Sequence, residues 1–260
     1  MDRRAIARAL TAIESGTATA SELLRGHPLP ARPAHRIGIT GAPGAGKSTL
    51  TAVLVRRLRE RGALVAVIAV DPSSPFSRGA LLGDRLRMHE VAGDEGVFIR
   101  SMATRGALGG LSHAVAGGAD VLEAAGFDTI LIETVGVGQS EYEIMRAADT
   151  TLLVLTPESG DEVQMAKAGL MEIADVFVLN KADRPDSDAL WAALRSMLDG
   201  RAHDAGPDNW RPAVVRTVAS AGSGAEDVVQ ALLAHADYER AHGGLSRRRL
   251  ARLSGTAGIQ

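Results

Sequence analysis

The sequence of 260 residues contains no cysteine. That excludes disulfides, a thiolate metal site and a catalytic thiol, and it fits a reducing compartment. Aromatic side chains are scarce, 3% of the chain against 45% hydrophobic residues overall. Any core is therefore built from Ala, Val, Leu and Ile, as suits helices packed on a parallel sheet. Net charge is nearly absent too: a formal value of −2 supplies no basic footprint for nucleic acid. Arg247-Arg248-Arg249 and Arg252 fit the solvated face of a terminal helix. There is no apolar run of membrane-spanning length and no signal-type segment behind the first residues. Arg3, Arg4 and Arg8 suggest a transit peptide, but Ile6, Leu10 and Ile13 fall at helical spacing and Asp2 and Glu14 supply acid, so a packed amphipathic helix is the better reading. A cytoplasmic protein that touches neither membrane nor nucleic acid is expected.

What the sequence does contain is Gly41-Ala42-Pro43-Gly44-Ala45-Gly46-Lys47-Ser48-Thr49, which satisfies G-x-x-x-x-G-K-S/T, the phosphate-binding P-loop. The apolar run from Arg36 to Thr40 enters it as a strand, and Leu50, Val53, Leu54 and Leu58 leave it at helical spacing. Glycines let the backbone turn its N–H groups toward one phosphate, and the new helix adds its positive N-terminal end. Lys47 is expected to reach the β- and γ-phosphates. Ser48 is expected to place its hydroxyl on Mg²⁺, which takes oxygen ligands.

Strands and helices alternate along the whole chain. Two short helices up to about residue 26 and a proline-bearing connector precede the first strand. Apolar strands are predicted at 64–70, 97–100, 129–133, 151–155, 176–179 and 214–218, and helices near 47–61, 111–125, 188–198 and 225–235. Loops are predicted at 71–79 and 101–110, and from the end of the 188–198 helix through Asp208. With no hairpin signals, this alternation gives an α/β fold with a doubly wound, mostly parallel sheet. The expected organisation is a helical N-terminal appendage at 1–34, a P-loop nucleotide domain at 35–236 and a helical tail at 237–260. Sites in such sheets lie at the carboxyl ends of the strands. Asp71, Glu133 and the glycine-bearing loops all fall there.

Asp71, Asp84 and Glu133 are the candidate carboxylates for a Mg²⁺ site, because an acid at the end of a buried strand commonly anchors the ion in P-loop proteins. Asp71 before a proline and Asp84 in a first helical turn also have turn and capping explanations. Asn180-Lys181-Ala182-Asp183 matches N-K-x-D, the guanine-reading signature. A carboxylate at Asp183 accepts two hydrogen bonds from guanine, whereas adenine presents an acceptor at N1 and no amine at C2, so such a site rejects the wrong base. GTP and GDP are the expected nucleotides. Ser220-Ala221, after the last strand, is the candidate source of a backbone N–H to the guanine carbonyl oxygen. Water is oriented either by Gln139 or by a backbone group near it, and Arg105 is a further candidate to reach the phosphates.

These motifs together, with Val70-Asp71-Pro72-Ser73-Ser74, Gly83-Asp84-Arg85, Ile99-Arg100-Ser101-Met102 and above all Glu133-Thr134-Val135-Gly136-Val137-Gly138-Gln139-Ser140, closely resemble the MeaB/ArgK family. The resemblance runs from about Ile6 to Arg252. It implies a SIMIBI-like G domain and Mg²⁺-dependent GTP hydrolysis, with GDP as product. It also implies that hydrolysis is coupled to loading or protecting the cofactor of an adenosylcobalamin-dependent acyl-CoA mutase of the methylmalonyl-CoA mutase type. The same resemblance makes 71–84 a first switch, 135–141 a second and 158–167 a third that faces the partner. Lys167 then either signals to that partner or is a solvated lysine. A homodimer is a further family property, built on a C-terminal extension beyond where this sequence stops at Gln260. The alternative is a GTPase of the nickel-enzyme maturation type, which also carries a glutamate in the second switch. The seven histidines here show no ligand spacing, so no metal site beyond Mg²⁺ is expected.

Overall fold

The computed structural model describes residues 1–27, 30, 32–71, 91, 93–103, 110–134, 142, 145–158, 170–205 and 209–253. The expectations for Asp84, Arg105, Gln139 and Lys167, and for most of the three switch segments, lie outside these residues.

Among the described residues seven strands form one parallel sheet: β1 (His35–Gly41), β2 (Val65–Asp71), β3 (Val97–Ala103), β4 (Thr129–Glu133), β5 (Thr150–Leu155), β6 (Val176–Asn180) and β7 (Ala213–Thr217). Their spatial order is β3-β2-β4-β1-β5-β6-β7. After β1 the chain moves outward to β2 and β3, returns to insert β4 beside β1, and then builds the other side. The carboxyl end of β1 is therefore flanked by strands from both halves, which is where open α/β sheets hold ligands. Ile37 fixes the register, pairing with Leu131 of β4 and Thr150 of β5. All seven residues of β1 are buried, as expected for a parallel strand covered on both faces.

The helices are α1 (Arg3–Glu14), α2 (Ala20–Leu23), α3 (Lys47–Glu60), α4 (Gly110–Ala124), α5 (Leu170–Ile173), α6 (Ser187–Ala205), α7 (Ala225–Ala241) and α8 (Gly244–Leu253). One face of the sheet packs on α3 and α7 through Leu50, Leu54, Leu58, Val229 and Leu232. The other packs on α1 and α4, where Ile6, Leu10 and Ile13 meet Val115 and Leu122. A third cluster, around Phe177, Leu194 and Leu198, closes the β6 edge. Asp2 caps α1 by accepting from Ala5 N–H at 2.6 Å, and Thr19 with Glu22 forms a capping box on α2. Arg100 pairs with Glu14 at 2.7 Å, joining β3 to α1. Among the described residues no helix is long and apolar enough to cross a membrane.

Three boundaries differ from expectation. Ser101, Met102 and Ala103 continue β3 rather than opening a loop, because Ala69, Val70 and Asp71 of β2 supply partners for them. Helix α6 runs through Gly200 to Ala205; an exposed helical glycine costs only about 1 kcal/mol, which its neighbours offset. Helix α7 extends to Ala241, past the expected end at residue 235, since Ala236 and Glu239 are still buried.

Candidate nucleotide site

The P-loop leaves β1 at Gly41, whose φ is +138°. A Cβ there would lie 2.1 Å from the Val154 carbonyl oxygen, so only glycine lets β1 and β5 approach this closely at the mouth of the loop. Gly46, at φ +91°, is the N-cap of α3, and a Cβ on it would meet the Asn180 amide nitrogen at 2.3 Å. Lys47 is buried and arches back over the loop, its Nζ donating to the carbonyls of Gly41 at 2.7 Å and Ala42 at 2.9 Å. Pro43, Gly44 and Thr49 are exposed and Ala45 is buried. The loop thus presents one cation beside the N-terminal end of a 14-residue helix, an arrangement suited to polyanionic phosphate.

Behind the loop, Ser48 Oγ donates to Glu133 Oε1 at 2.5 Å. Glu133 is only 4% exposed, held at the end of β4 where Thr134 N–H donates to the Ile39 carbonyl at 3.0 Å. Asp71 is the last residue of β2 and stands opposite Ala103 of β3, two positions beyond Ala69, which is in register with Glu133. Sequence distance hides this meeting of Ser48 and Glu133, 85 residues apart. The parallel pairing of β1 with β4 brings it about.

At the other end of the edge, Asn180 closes β6. It is 3% exposed and turns its amide inward. Its Nδ2 donates to the Ala45 carbonyl at 2.8 Å, while its Oδ1 accepts from Thr217 Oγ1 and from Ala219 N–H, each at 3.0 Å. One side chain therefore ties the P-loop, β7 and the short 3₁₀ turn Ala219–Ala221 together.

The family described as methylmalonyl-CoA mutase-associated GTPase MeaB matches residues 6–257. The chain belongs to this family. A Pyrococcus abyssi GTPase is 49% identical over 253 residues, 97% of this chain and 78% of the relative. The GTPase ArgK of Escherichia coli (strain K12) is 42% identical over 200 residues, 76% of this chain and 60% of the relative. Among solved structures, a LAO/AO transport system kinase superposes with a TM-score of 0.66 at 28% identity, covering 98% of this chain and 82% of that one. As a member of the MeaB family the chain is a P-loop GTPase that binds guanine nucleotide.

In this MeaB-family GTPase the N-K-x-D turn divides by depth. Asn180 is inside, and Asp183, Ser220 and Ala221 are exposed on the same edge. Lys181 and Ala182 are half-buried between them, with Ala182 N–H donating to the Thr217 carbonyl at 3.0 Å. Ser187 Oγ donates to the Ala182 carbonyl at 3.0 Å and closes the turn onto α6. Thr217 and Glu158 belong to this neighbourhood and are not legible from motif spacing. Thr217 falls inside the strand expected at 214–218, and Glu158 opens the expected third switch at 158–167, but nothing in either pattern points to the 180–183 turn.

Proposed function

We propose that this MeaB-family GTPase binds GTP with Mg²⁺ along the carboxyl edge of its sheet and couples hydrolysis to loading or protecting the cofactor of an adenosylcobalamin-dependent acyl-CoA mutase. The observation that carries the nucleotide half is the single connected edge: Lys47, Ser48 and Glu133 at one end, the 180–183 turn and Ser220-Ala221 at the other, joined through Asn180.

The buried oxygen pair of Ser48 and Glu133 is the hard donor set that Mg²⁺ accepts. Ser48 and Glu133 would hold the ion, with Asp71 and Asp84 as further carboxylates. When bound, Mg²⁺ neutralises charge on the β- and γ-phosphate oxygens. Lys47 leaves its two loop carbonyls to meet the same oxygens. The backbone N–H groups of Ala42 and of 44–49 orient the triphosphate, and Gln139 or a backbone group of the second switch orients the attacking water. Asp183 accepts from the guanine N1–H and exocyclic amine, and the Ser220-Ala221 backbone donates to its carbonyl oxygen. Phosphoryl transfer needs positioning and charge neutralisation more than covalent chemistry, and these groups supply both.

The family description supports the mutase as client. The test is GTP turnover by the purified protein, alone and with a saturating adenosylcobalamin-dependent acyl-CoA mutase. Basal turnover as slow as ~10⁻⁴ s⁻¹ is expected for an isolated G domain. It rises with the mutase and is lost, with nucleotide binding, in Lys47→Ala. Turnover that ignores the mutase would remove the client and leave the GTPase.

A further inference from the structure

Glu158, three residues beyond the end of β5, places its carboxylate between the two cations that flank the turn after β6. Its Oε2 lies 3.7 Å from Lys181 Nζ, and its Oε1 accepts a hydrogen bond from Arg184 Nη1. Lys181 is one of two non-glycine residues at positive φ among the described residues, at +55°. A lysine stays in that sparsely populated conformation only where its surroundings hold it. Three tethers act on the main chain: the inward bonds of Asn180, Ala182 N–H to the Thr217 carbonyl at 3.0 Å, and Arg184 N–H to the Lys181 carbonyl at 3.0 Å. The Lys181 side chain is held by Glu158.

Asp183 stands between these cations in sequence and is exposed, with no hydrogen bond or ion pair among the described residues. In the absence of another acid, either Lys181 or Arg184 would pair with it and compete with guanine for the same oxygens. We propose that Glu158 is a positioning residue for the guanine nucleotide: it engages both cations, keeps Lys181 and Arg184 from repelling one another, and leaves the Asp183 carboxylate open to the N–H donors of the base. The rate at which nucleotide leaves is then set partly from the turn that follows β5, outside the N-K-x-D motif. This rests on residues 180–183 being the base site.

The experiment is release of tritiated GDP from Glu158→Gln, which keeps size and polarity but not charge. The pair is about half exposed, so the effect is moderate and screened by salt. Release about threefold faster or more at low ionic strength is expected, with GDP affinity reduced, the gap narrowing at 0.5 M salt and Glu158→Asp recovering part of it. A smaller change, or one that salt does not reduce, overturns the proposal. Asp183→Asn, measured in parallel, separates the two ideas, since it shifts preference from GDP toward XDP whenever this turn reads the base. If GDP binding is indifferent to Asp183→Asn, the base site lies elsewhere and the role of Glu158 falls with it.

Discussion

Arg36 enters the middle of the sheet with a guanidinium that is almost wholly buried. Its Nε and Nη2 donate to Glu123 at 3.2 and 2.9 Å, and Nη2 also donates to Asp120 at 2.7 Å. Burial alone would lower its pKa; the two carboxylates outweigh that and raise it. Removing one member of a buried pair costs more than the pair is worth, because the other charge stays behind. Arg36→Met is therefore expected to lose about 3–5 kcal/mol in urea unfolding, and Arg36→Met with Glu123→Leu to recover most of it. Asn180→Ala follows the same logic without charge. It strips partners from the Ala45 carbonyl, Thr217 and Ala219 N–H at once. Each buried polar group so exposed costs about 1–3 kcal/mol. Guanine nucleotide affinity is expected to drop more than tenfold, measured by titration calorimetry, although the side chain faces the protein interior.

Elements carry their information unevenly. Strands β2, β4, β5 and β6 could be read from the sequence because each is largely an unbroken apolar run, and β1 and α3 because the P-loop glycines between them announce both. The mouth of the P-loop is fixed sterically: Gly41→Ala places a methyl against the Val154 carbonyl and asks for a φ of +138° from an L residue. A loss of about 3 kcal/mol or more is expected, seen as a lowered thermal midpoint. The last residues of β3 were not legible, since Ser101 to Ala103 become strand only through the partner that β2 offers. Nor was the inward turn of Asn180, whose partners are backbone groups 39 and 135 residues away.

A buried chain at the opposite edge was equally silent. His35 Nε2 meets Thr150 Oγ1 at 2.7 Å, and Thr150 Oγ1 meets His235 Nδ1 at 2.7 Å. His235 Nε2 lies 3.3 Å from Asp175 Oδ1. Burial is the largest cause pushing both histidines down to about 4, against the raising effect of Asp149 on both and Glu239 on His235. Unfolded histidines titrate near 6.5, so between those values the unfolded chain binds more protons. Stability is full above about pH 6.5 and falls as pH drops toward 4, by about 1.4 kcal/mol per unit of pKa difference for each histidine. Asp175, raised chiefly by burial, offsets part of this. Urea midpoints at pH 7 and 4.5 are expected to differ accordingly, and His235→Gln to flatten the dependence.

For the molecule as a whole, site and fold are one object. β1 runs from the His35 network to the P-loop, flanked by β4 and β5, so whatever holds the nucleotide also holds the centre of the sheet. A ligand that binds only the folded chain stabilises it by about 2.7 kcal/mol at a hundred times its Kd. GDP and GTP are expected to raise the thermal midpoint with concentration, and ADP and ATP at equal concentration to leave it unchanged. The fold class and the glycine-rich end of the site were legible because they depend on local pattern. The fastening of one end to the other was not, because parallel sheets make their contacts between residues far apart in the chain.

The network under β1 also includes Trp210, which donates from its ring nitrogen to the Asp175 carbonyl at 2.8 Å and sets its ring 4.8 Å from that of His235. The chain has only two tryptophans, and the other, Trp191, lies under the guanidiniums of Arg195 and Arg216 and makes no histidine ring contact among the described residues. Imidazolium quenches indole emission far better than neutral imidazole does. The protein is thus expected to contain its own optical indicator: on acidification the emission of Trp210 dims as His235 takes up a proton, while that of Trp191 stays constant as an internal reference, measured as total tryptophan emission from pH 7 to 4.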